Sequence, residues 1–142
     1  MTSQTHDFAR AEGAARRGEY AHFEHKLRGR WHELRDETRD VLERSQNEGY
    51  ADIAGRVSDL EDQSLADLLL DVNLAEIGRD VQEIRAIERA LKRIALGTYG
   101  TCVSCGQPIE RERLEAYPTA NRCAMCQRAY EHEHATRPTP RL

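Results

Sequence analysis

The sequence predicts a mainly α-helical protein, in which an antiparallel two-helix coiled-coil hairpin is followed by a small finger with a C-terminal helix. Three observations lead to this prediction. Apolar residues recur at three- and four-residue steps along two long stretches, as on one face of an amphipathic helix. Charged residues make up 32% of the chain, too many for one large apolar core. Four cysteines occur as two close pairs after residue 97, among several glycines and prolines.

The first helix is predicted from Glu19 to about Ser45. Its apolar positions follow helical spacing and are separated by charged residues: Phe23, Leu27, Trp31, Leu34, Val41 and Leu42. The same spacing continues through Tyr50, Ile53 and Val57, so we expect the helix to run on with a kink near Asn47–Gly49. Residues 1–18 are small, polar and charged, which predicts a flexible N-terminal segment.

The second helix is predicted to begin near Ser64, after a polar interruption, and to end before Gly97. Ser64 and Asp67 resemble a capping box at its start, and Gly97 is a typical left-handed C-cap. A helix of about 33 residues would be roughly 50 Å long. Two long amphipathic helices joined by a short loop predict an antiparallel hairpin over residues 19–96.

The finger is predicted over residues 97–134, and residues 135–142 are expected to form a disordered tail. Its cysteines, Cys102, Cys105, Cys123 and Cys126, have the spacing Cys-x2-Cys-x17-Cys-x2-Cys, which is typical of a four-thiolate zinc site. With four protein ligands no coordination position is left for water, so one structural Zn²⁺ is expected in a zinc-ribbon-like finger. The alternative is a thiol switch in which the pairs form disulfides.

Gly106 follows the first cysteine pair directly, where a knuckle requires a residue that tolerates a positive φ angle. The arginines Arg111, Arg113 and Arg122 are close enough in sequence to offset the negative charge of the thiolates. A last helix is predicted to start near Thr119 and to carry Cys123 and Cys126.

The charge balance and hydropathy exclude several classes of protein. The net charge is −4, and residues 97–137 contain as many glutamates as arginines, which argues against DNA binding through phosphate contacts. No apolar run has the roughly 18 residues of a membrane span. The first 20 residues have no apolar stretch typical of a secretory signal. We therefore expect a cytoplasmic protein. Because the predicted zinc site is closed, it leaves no position for metal catalysis, and we expect the protein not to be an enzyme.

The loop between the two predicted helices is acidic. Residues 57–78 contain six carboxylates and no lysine or arginine. Three of them, Asp59, Glu61 and Asp62, lie in the turn at residues 58–64, which we call the acidic turn. Acids near a helix N-terminus stabilise the helix dipole, and this explains part of the cluster. An exposed turn of like charges also indicates a cationic or metal-containing target.

Residues 90–127 resemble the DksA/TraR family of bacterial transcription regulators. The resemblance rests on the zinc motif, the Gly-Thr-Tyr-Gly sequence at 97–100 and the Arg-Leu-Glu-Ala-x-Pro-Thr-Ala sequence at 113–120. A weaker resemblance covers the hairpin. It implies a coiled coil that enters the secondary channel of RNA polymerase and brings two acidic residues of its tip near the active centre.

The family's tip motif, Asp-x-x-Asp-x-Ala, matches the acidic turn at Asp59 and Asp62, with Ser64 in the place of the alanine. The resemblance therefore implies that Asp59, Asp62 and Ser64 form the contact with the polymerase active centre. Some family members also bind the alarmone ppGpp through basic residues of the second helix. Counted back from Cys102, these positions fall at Arg79, Gln82 and Ala86, of which only the first is basic.

The sequence thus predicts a monomeric regulator that binds bacterial RNA polymerase and alters promoter complexes, without sequence-specific DNA binding of its own. Two alternatives remain open on the residues alone. One is a zinc-ribbon adaptor or DNA-binding regulator that dimerises through its coiled coil. The other is a redox sensor based on the cysteine thiols.

Overall fold

The computed structural model describes residues 18–61 and 64–135. The helices in these residues are α1 (Ala21–Arg44), α2 (Glu48–Ser58), α3 (Leu65–Leu68), α4 (Ala75–Leu96), α5 (Arg111–Ala116) and α6 (Ala124–Ala135). In the same ranges β pairing is limited to one antiparallel bridge, between Thr101 and Pro108. The mainly helical class is confirmed. Almost all of the predicted flexible segment 1–18 and of the predicted tail 135–142 falls outside the described residues.

The chain divides into two compact units. One unit is Glu24–Lys92, and the other combines the residues up to Phe23 with those from Arg93 onward. The boundary falls inside α1 and inside α4. The predicted limits of the hairpin and the finger followed the change in composition at residue 97 and remain a prediction.

In the 24–92 unit, α1 and α4 form the antiparallel pair expected from the sequence. Arg30 Nε donates to Glu83 Oε1 at 2.8 Å, whereas Arg44, further along α1, lines a groove with Glu76 near the start of α4. The contacted residue in α4 has a lower number as the residue number in α1 increases, so the two helices are antiparallel. The seam is apolar and nearly inaccessible to solvent, and includes Leu27, Trp31, Leu34, Leu42, Ile77, Ile84 and Ile87.

The first helix is interrupted where the kink was predicted, but the chain reverses there. Gln46 has a φ of 58°, a left-handed conformation that is rare for a residue with a side chain, and Asn47 Oδ1 accepts from Gly49 N at 2.9 Å to cap α2. At the far end of α2, Arg35 Nη1 donates to Leu60 O at 2.9 Å. The α2 helix therefore runs back alongside α1 instead of prolonging it.

The prediction of one continuous helix from Ser64 to residue 96 is wrong. Only Leu65–Leu68 is helical at its start, turns follow to Asp71, and α4 begins at Ala75. The predicted capping box is wrong as well, because the Ser64 side chain makes no capping hydrogen bond. A tertiary contact replaces it: Glu88 Oε1 of α4 accepts from the backbone N–H of Leu65 at 2.8 Å and of Ala66 at 3.3 Å.

The second unit has a compact aromatic core. Phe23, Tyr99 and Leu114 are at most 2% exposed, and the rings of Phe23 and Tyr99 lie 5.9 Å apart. Tyr99 Oη donates to Pro118 O at 2.6 Å, which ties the start of the finger to the segment after α5. The α5 helix was not predicted from the sequence, since its six residues are too few for a periodic pattern.

None of the helices in residues 18–61 and 64–135 combines the length and the apolar character that crossing a membrane requires.

Candidate metal centre and acidic turn

The four cysteines meet in one cluster. Their Sγ atoms all lie within 4.8 Å of one another, and those of Cys105 and Cys123 are 3.9 Å apart. Cys102 and Cys123 are buried, while Cys105 is exposed. The predicted ligand set is thus brought together by residues that are up to 24 positions apart in sequence.

A tight knuckle places the first pair. Cys102 N donates to Gln107 O at 2.8 Å, and Gly106 N donates back to Cys102 O at 3.0 Å. This short loop requires a left-handed residue, and Gly106 supplies it with a φ of 72°. The predicted role of Gly106 is therefore confirmed.

The second pair is placed by the start of α6. Cys123 immediately precedes the helix, its carbonyl accepts from Gln127 N at 2.9 Å, and Cys126 lies in the first turn. The helix begins at Ala124 and not near Thr119 as predicted, because the preceding residues form turns around Pro118. Val103 N donates to Asn121 O at 2.9 Å and holds the two knuckles together.

Crowding shifts the pKa values of Cys102 and Cys126 in opposite directions. Burial of Cys102 opposes its ionisation, but backbone N–H groups of the Cys105, Cys123 and Ser104 region stabilise the thiolate and lower its pKa to about 6. Hydrogen bonding to the neighbouring sulfurs of Cys123 and Cys105, followed by burial, raises the pKa of Cys126 to about 12. A bound metal cation favours the thiolate form of its cysteine ligands, because a coordinating thiol must be deprotonated.

The donor set and its spacing fit zinc. A Zn–S bond of about 2.3 Å in a tetrahedron corresponds to roughly 3.8 Å between sulfurs, close to the 3.9 Å between Cys105 and Cys123. Four thiolates close the coordination sphere. The site is therefore a structural zinc site, which the four ligands Cys102, Cys105, Cys123 and Cys126 would hold.

The arginines near the cysteines organise the finger by other contacts. Arg113 Nε donates to Arg122 O at 2.9 Å, linking α5 to the second knuckle. Arg122 donates to Ser104 Oγ at 3.2 Å, and its guanidinium lies 4.0 Å from the centroid of the Tyr130 ring. Arg122 thus bridges the first knuckle and α6. The prediction that these arginines offset the thiolate charge is not tested by these contacts.

Most of the acidic turn is described, with one gap. Asp59 and Glu61 are exposed, and so is Ser64, whereas Asp62 lies outside the described residues. Asp59 caps the C-terminus of α2 through its backbone N–H. The turn was expected at the far end of the hairpin. In the described residues, Leu60 O accepts from Arg35 of α1, and Leu65, just after the turn, donates its N–H to Glu88 of α4.

Glu88 is the residue that sequence reasoning missed. Its Oε1 accepts from Trp31 Nε1 at 3.2 Å as well as from the first two N–H groups of α3. A carboxylate on the apolar side of α4, beside Ile84, Ile87 and Leu91 in the heptad-like pattern, is the only local sign of such a role. Its partners lie 22 to 57 positions away, so the sequence does not identify them.

Comparison with known proteins places this arrangement in a family. Residues 97–132 match the family described as prokaryotic dksA/traR C4-type zinc finger. A Caulobacter vibrioides protein named RNA polymerase-binding transcription factor DksA is 34% identical over 112 residues, covering 78% of this chain and 74% of that protein. A protein of the same name from Escherichia coli K12 is 33% identical over 106 residues, covering 75% and 67%.

A solved structure gives a similar result. The solution structure of the DnaK suppressor protein from Agrobacterium tumefaciens C58 aligns at 35% sequence identity with a TM-score of 0.50. The alignment covers 77% of this chain and 91% of that one.

Proposed function

The chain belongs to the DksA/TraR family, and we propose that it regulates bacterial transcription by binding RNA polymerase and delivering its acidic turn through the secondary channel. The observation that carries the proposal is the combination of the four-cysteine zinc site with relatives named RNA polymerase-binding transcription factor over most of the chain. The regulator is non-enzymatic and acts in the cytoplasm, where its polymerase is found.

Two features support different roles for the zinc site and the acidic turn. The zinc site is closed, so it stabilises the finger and performs no chemistry of its own. Asp59 is exposed and, together with Asp62, matches the family's tip motif. Carboxylates at these positions act on the polymerase active centre, where Mg²⁺ and basic side chains provide complementary charge. The result is a change in the lifetime of promoter complexes.

The test is the double substitution Asp59→Asn with Asp62→Asn in a transcription assay with purified polymerase. We expect the variant to bind polymerase with less than a threefold change in affinity and to lose the effect on promoter-complex lifetime. The matched control is Glu43→Gln with Asp52→Asn, which removes two charges from exposed positions on α1 and α2 outside the turn. This control should retain full effect.

If the Asp59/Asp62 variant regulates like the wild type, the acidic turn is not the active element.

Competition provides a second measurement, since a factor already known to occupy the secondary channel should displace this protein. Sedimentation should give a mass near 16.2 kDa for the free protein, because the regulator acts as a monomer. A mass of twice that value would favour an adaptor that dimerises through its helices.

A further inference from the structure

Two hydrogen bonds join the knuckle that carries the first cysteine pair to the knuckle that carries the second. Val103 N donates to Asn121 O at 2.9 Å, and Arg122 Nε donates to Ser104 Oγ at 3.2 Å. The first bond lies between backbone groups. The second depends on the side chain of Arg122, so this residue can be changed without altering the backbone connection.

The guanidinium of Arg122 is also held by α6. Its central carbon lies 4.0 Å from the centroid of the Tyr130 ring, well within the range of a cation–π contact. The ring of His134 stacks on Tyr130 with a centroid distance of 3.9 Å. Within residues 18–61 and 64–135, no carboxylate lies at salt-bridge distance from Arg122. The side chain therefore connects the first knuckle to α6 and takes no part in an ion pair there.

The backbone of Arg122 is fixed as well. Arg113 Nε of α5 donates to Arg122 O at 2.9 Å. The next residue, Cys123, is a zinc ligand and only 8% exposed. Because the backbone at position 122 is anchored to α5, the bond from its side chain to Ser104 holds the first knuckle against a fixed second knuckle.

The zinc site is most accessible from the first knuckle. Cys105 is exposed, whereas Cys102 and Cys123 are buried. The Sγ atoms of Cys105 and Cys123 are 3.9 Å apart, so the two knuckles meet at this edge. Ser104, which accepts from Arg122, immediately precedes Cys105. The Arg122–Ser104 bond therefore restrains the part of the first knuckle that must move when a competing ligand replaces Cys105.

We propose that Arg122 is a positioning residue of the zinc site, which ties the first knuckle to α6 and slows the loss of zinc. It acts through its hydrogen bond to Ser104 and its stacking on Tyr130, which together we call the Arg122 bridge. A positive charge near four thiolates would also stabilise them, but that effect does not depend on the shape of the guanidinium. The proposal concerns zinc retention and does not depend on the proposed function in transcription.

The rate of zinc transfer to a chelating dye measures the effect of the bridge. The full-length zinc-bound protein is mixed with a large excess of a dye that changes colour on binding Zn²⁺. We expect Arg122→Met to release zinc about tenfold faster than the wild type, because it loses one hydrogen bond and one cation–π contact.

The matched control is Arg128→Met. It removes the same charge from α6, where Arg128 Nε donates to Ala124 O of the same helix at 3.3 Å. We expect its zinc-release rate to change less than about twofold, because the loss affects only a bond within one helix. Equal release rates in the Arg122→Met and Arg128→Met variants would overturn the proposal.

Arg122→Lys separates the bridge from the charge. Lysine keeps the positive charge, but it lacks the planar guanidinium that donates to Ser104 while it stacks on Tyr130. We expect this variant to release zinc about fivefold faster than the wild type. A wild-type rate would show that the charge alone acts, and the bridge would have no role.

Substitutions of Ser104 test the partner of Arg122. Ser104→Ala removes the acceptor and should speed zinc release about fivefold, whereas Ser104→Thr keeps a hydroxyl and should restore the wild-type rate. In the Arg122→Met background, Ser104→Ala should add little, because the bond is already lost. Rate increases that multiply in the double variant would contradict a direct partnership between the two side chains.

Hydrogen exchange of the zinc-bound variants distinguishes the bridge from a general contribution to folding. Ile109 N donates to Gly100 O at 2.7 Å within the finger, whereas Val103 N donates across the two knuckles. Arg122→Met should reduce the protection of the Val103 amide and leave that of Ile109 unchanged. An equal loss of protection at both amides would show that Arg122 stabilises the whole finger and has no specific role at the zinc site.

Discussion

Gly100 is the residue at which a single methyl group should have the largest effect on the finger. Its φ is +81°, and a Cβ atom there would collide with the ring and hydroxyl of Tyr20. Gly100→Ala therefore combines backbone strain with a clash in the aromatic core. We expect a loss of about 2 kcal/mol or more in the free energy of unfolding, measured by urea denaturation of the zinc-bound protein.

Substitutions at two other glycines distinguish backbone strain from the clash with Tyr20 as the cause of this loss. Gly106 has a φ of +72° with open space around it, so Gly106→Ala should cost only about 1 kcal/mol of backbone strain. Gly29 lies in α1 with open space, and Gly29→Ala should stabilise the protein by roughly 0.5–1 kcal/mol. A Gly100→Ala variant no less stable than Gly106→Ala would show that Tyr20 does not pack against the finger.

Residues whose role depends on local spacing were predictable, and those whose role depends on distant partners were not. The roles of the cysteine pairs and of Gly106 could be recognised from the few residues around them, because a metal knuckle is a local structure. Glu88 looks like an ordinary charged residue within a helix. Its function depends on N–H groups that only the folded chain brings to it.

At the scale of the elements, the presence of the long helices was predictable, but the places where they are interrupted were not. Periodicity identified α1 and α4, and the Asn47–Gly49 stretch predicted a kink before α2. The interruption between α3 and α4 has no breaker residue. The side chains of Leu65 and Leu69 are at most 1% exposed, and we infer that their tertiary packing outweighs the helix propensity of this segment.

Glu88 joins α1, α3 and α4, because its Oε1 accepts from Trp31 Nε1 and from the N–H groups of Leu65 and Ala66. Removal of the Trp31 donor should weaken this junction. Trp31→Phe retains an aromatic ring in the seam but leaves Glu88 without one of its donors. We expect the free energy of unfolding to fall by about 1–2 kcal/mol in urea denaturation. In a double-mutant cycle with Glu88→Gln, the two losses should be less than additive. Strict additivity would mean that the bond contributes nothing to stability.

At the scale of the whole molecule, the two units obtain their stability from different sources. The 24–92 unit buries a continuous apolar seam, whereas the finger buries a few aromatic and aliphatic side chains around its cysteines. Such a small core rarely maintains a fold without a metal or a disulfide. We therefore expect zinc to determine the stability of the finger but not that of the 24–92 unit.

Removal of zinc by a strong chelator should accordingly unfold the finger and leave the 24–92 unit folded. We expect the amides of Cys102, Val103 and Gly106, which are hydrogen bonded in the knuckles, to lose their protection from hydrogen exchange. Amides within α2 and the central part of α4 should keep theirs, because their helices bury an apolar face that no metal supports. The Cys102→Ser variant should behave like the chelated protein. The control Val103→Ala, whose side chain is exposed in the same knuckle, should behave like the zinc-bound protein. Loss of protection in both units together would show instead that zinc stabilises one cooperative fold.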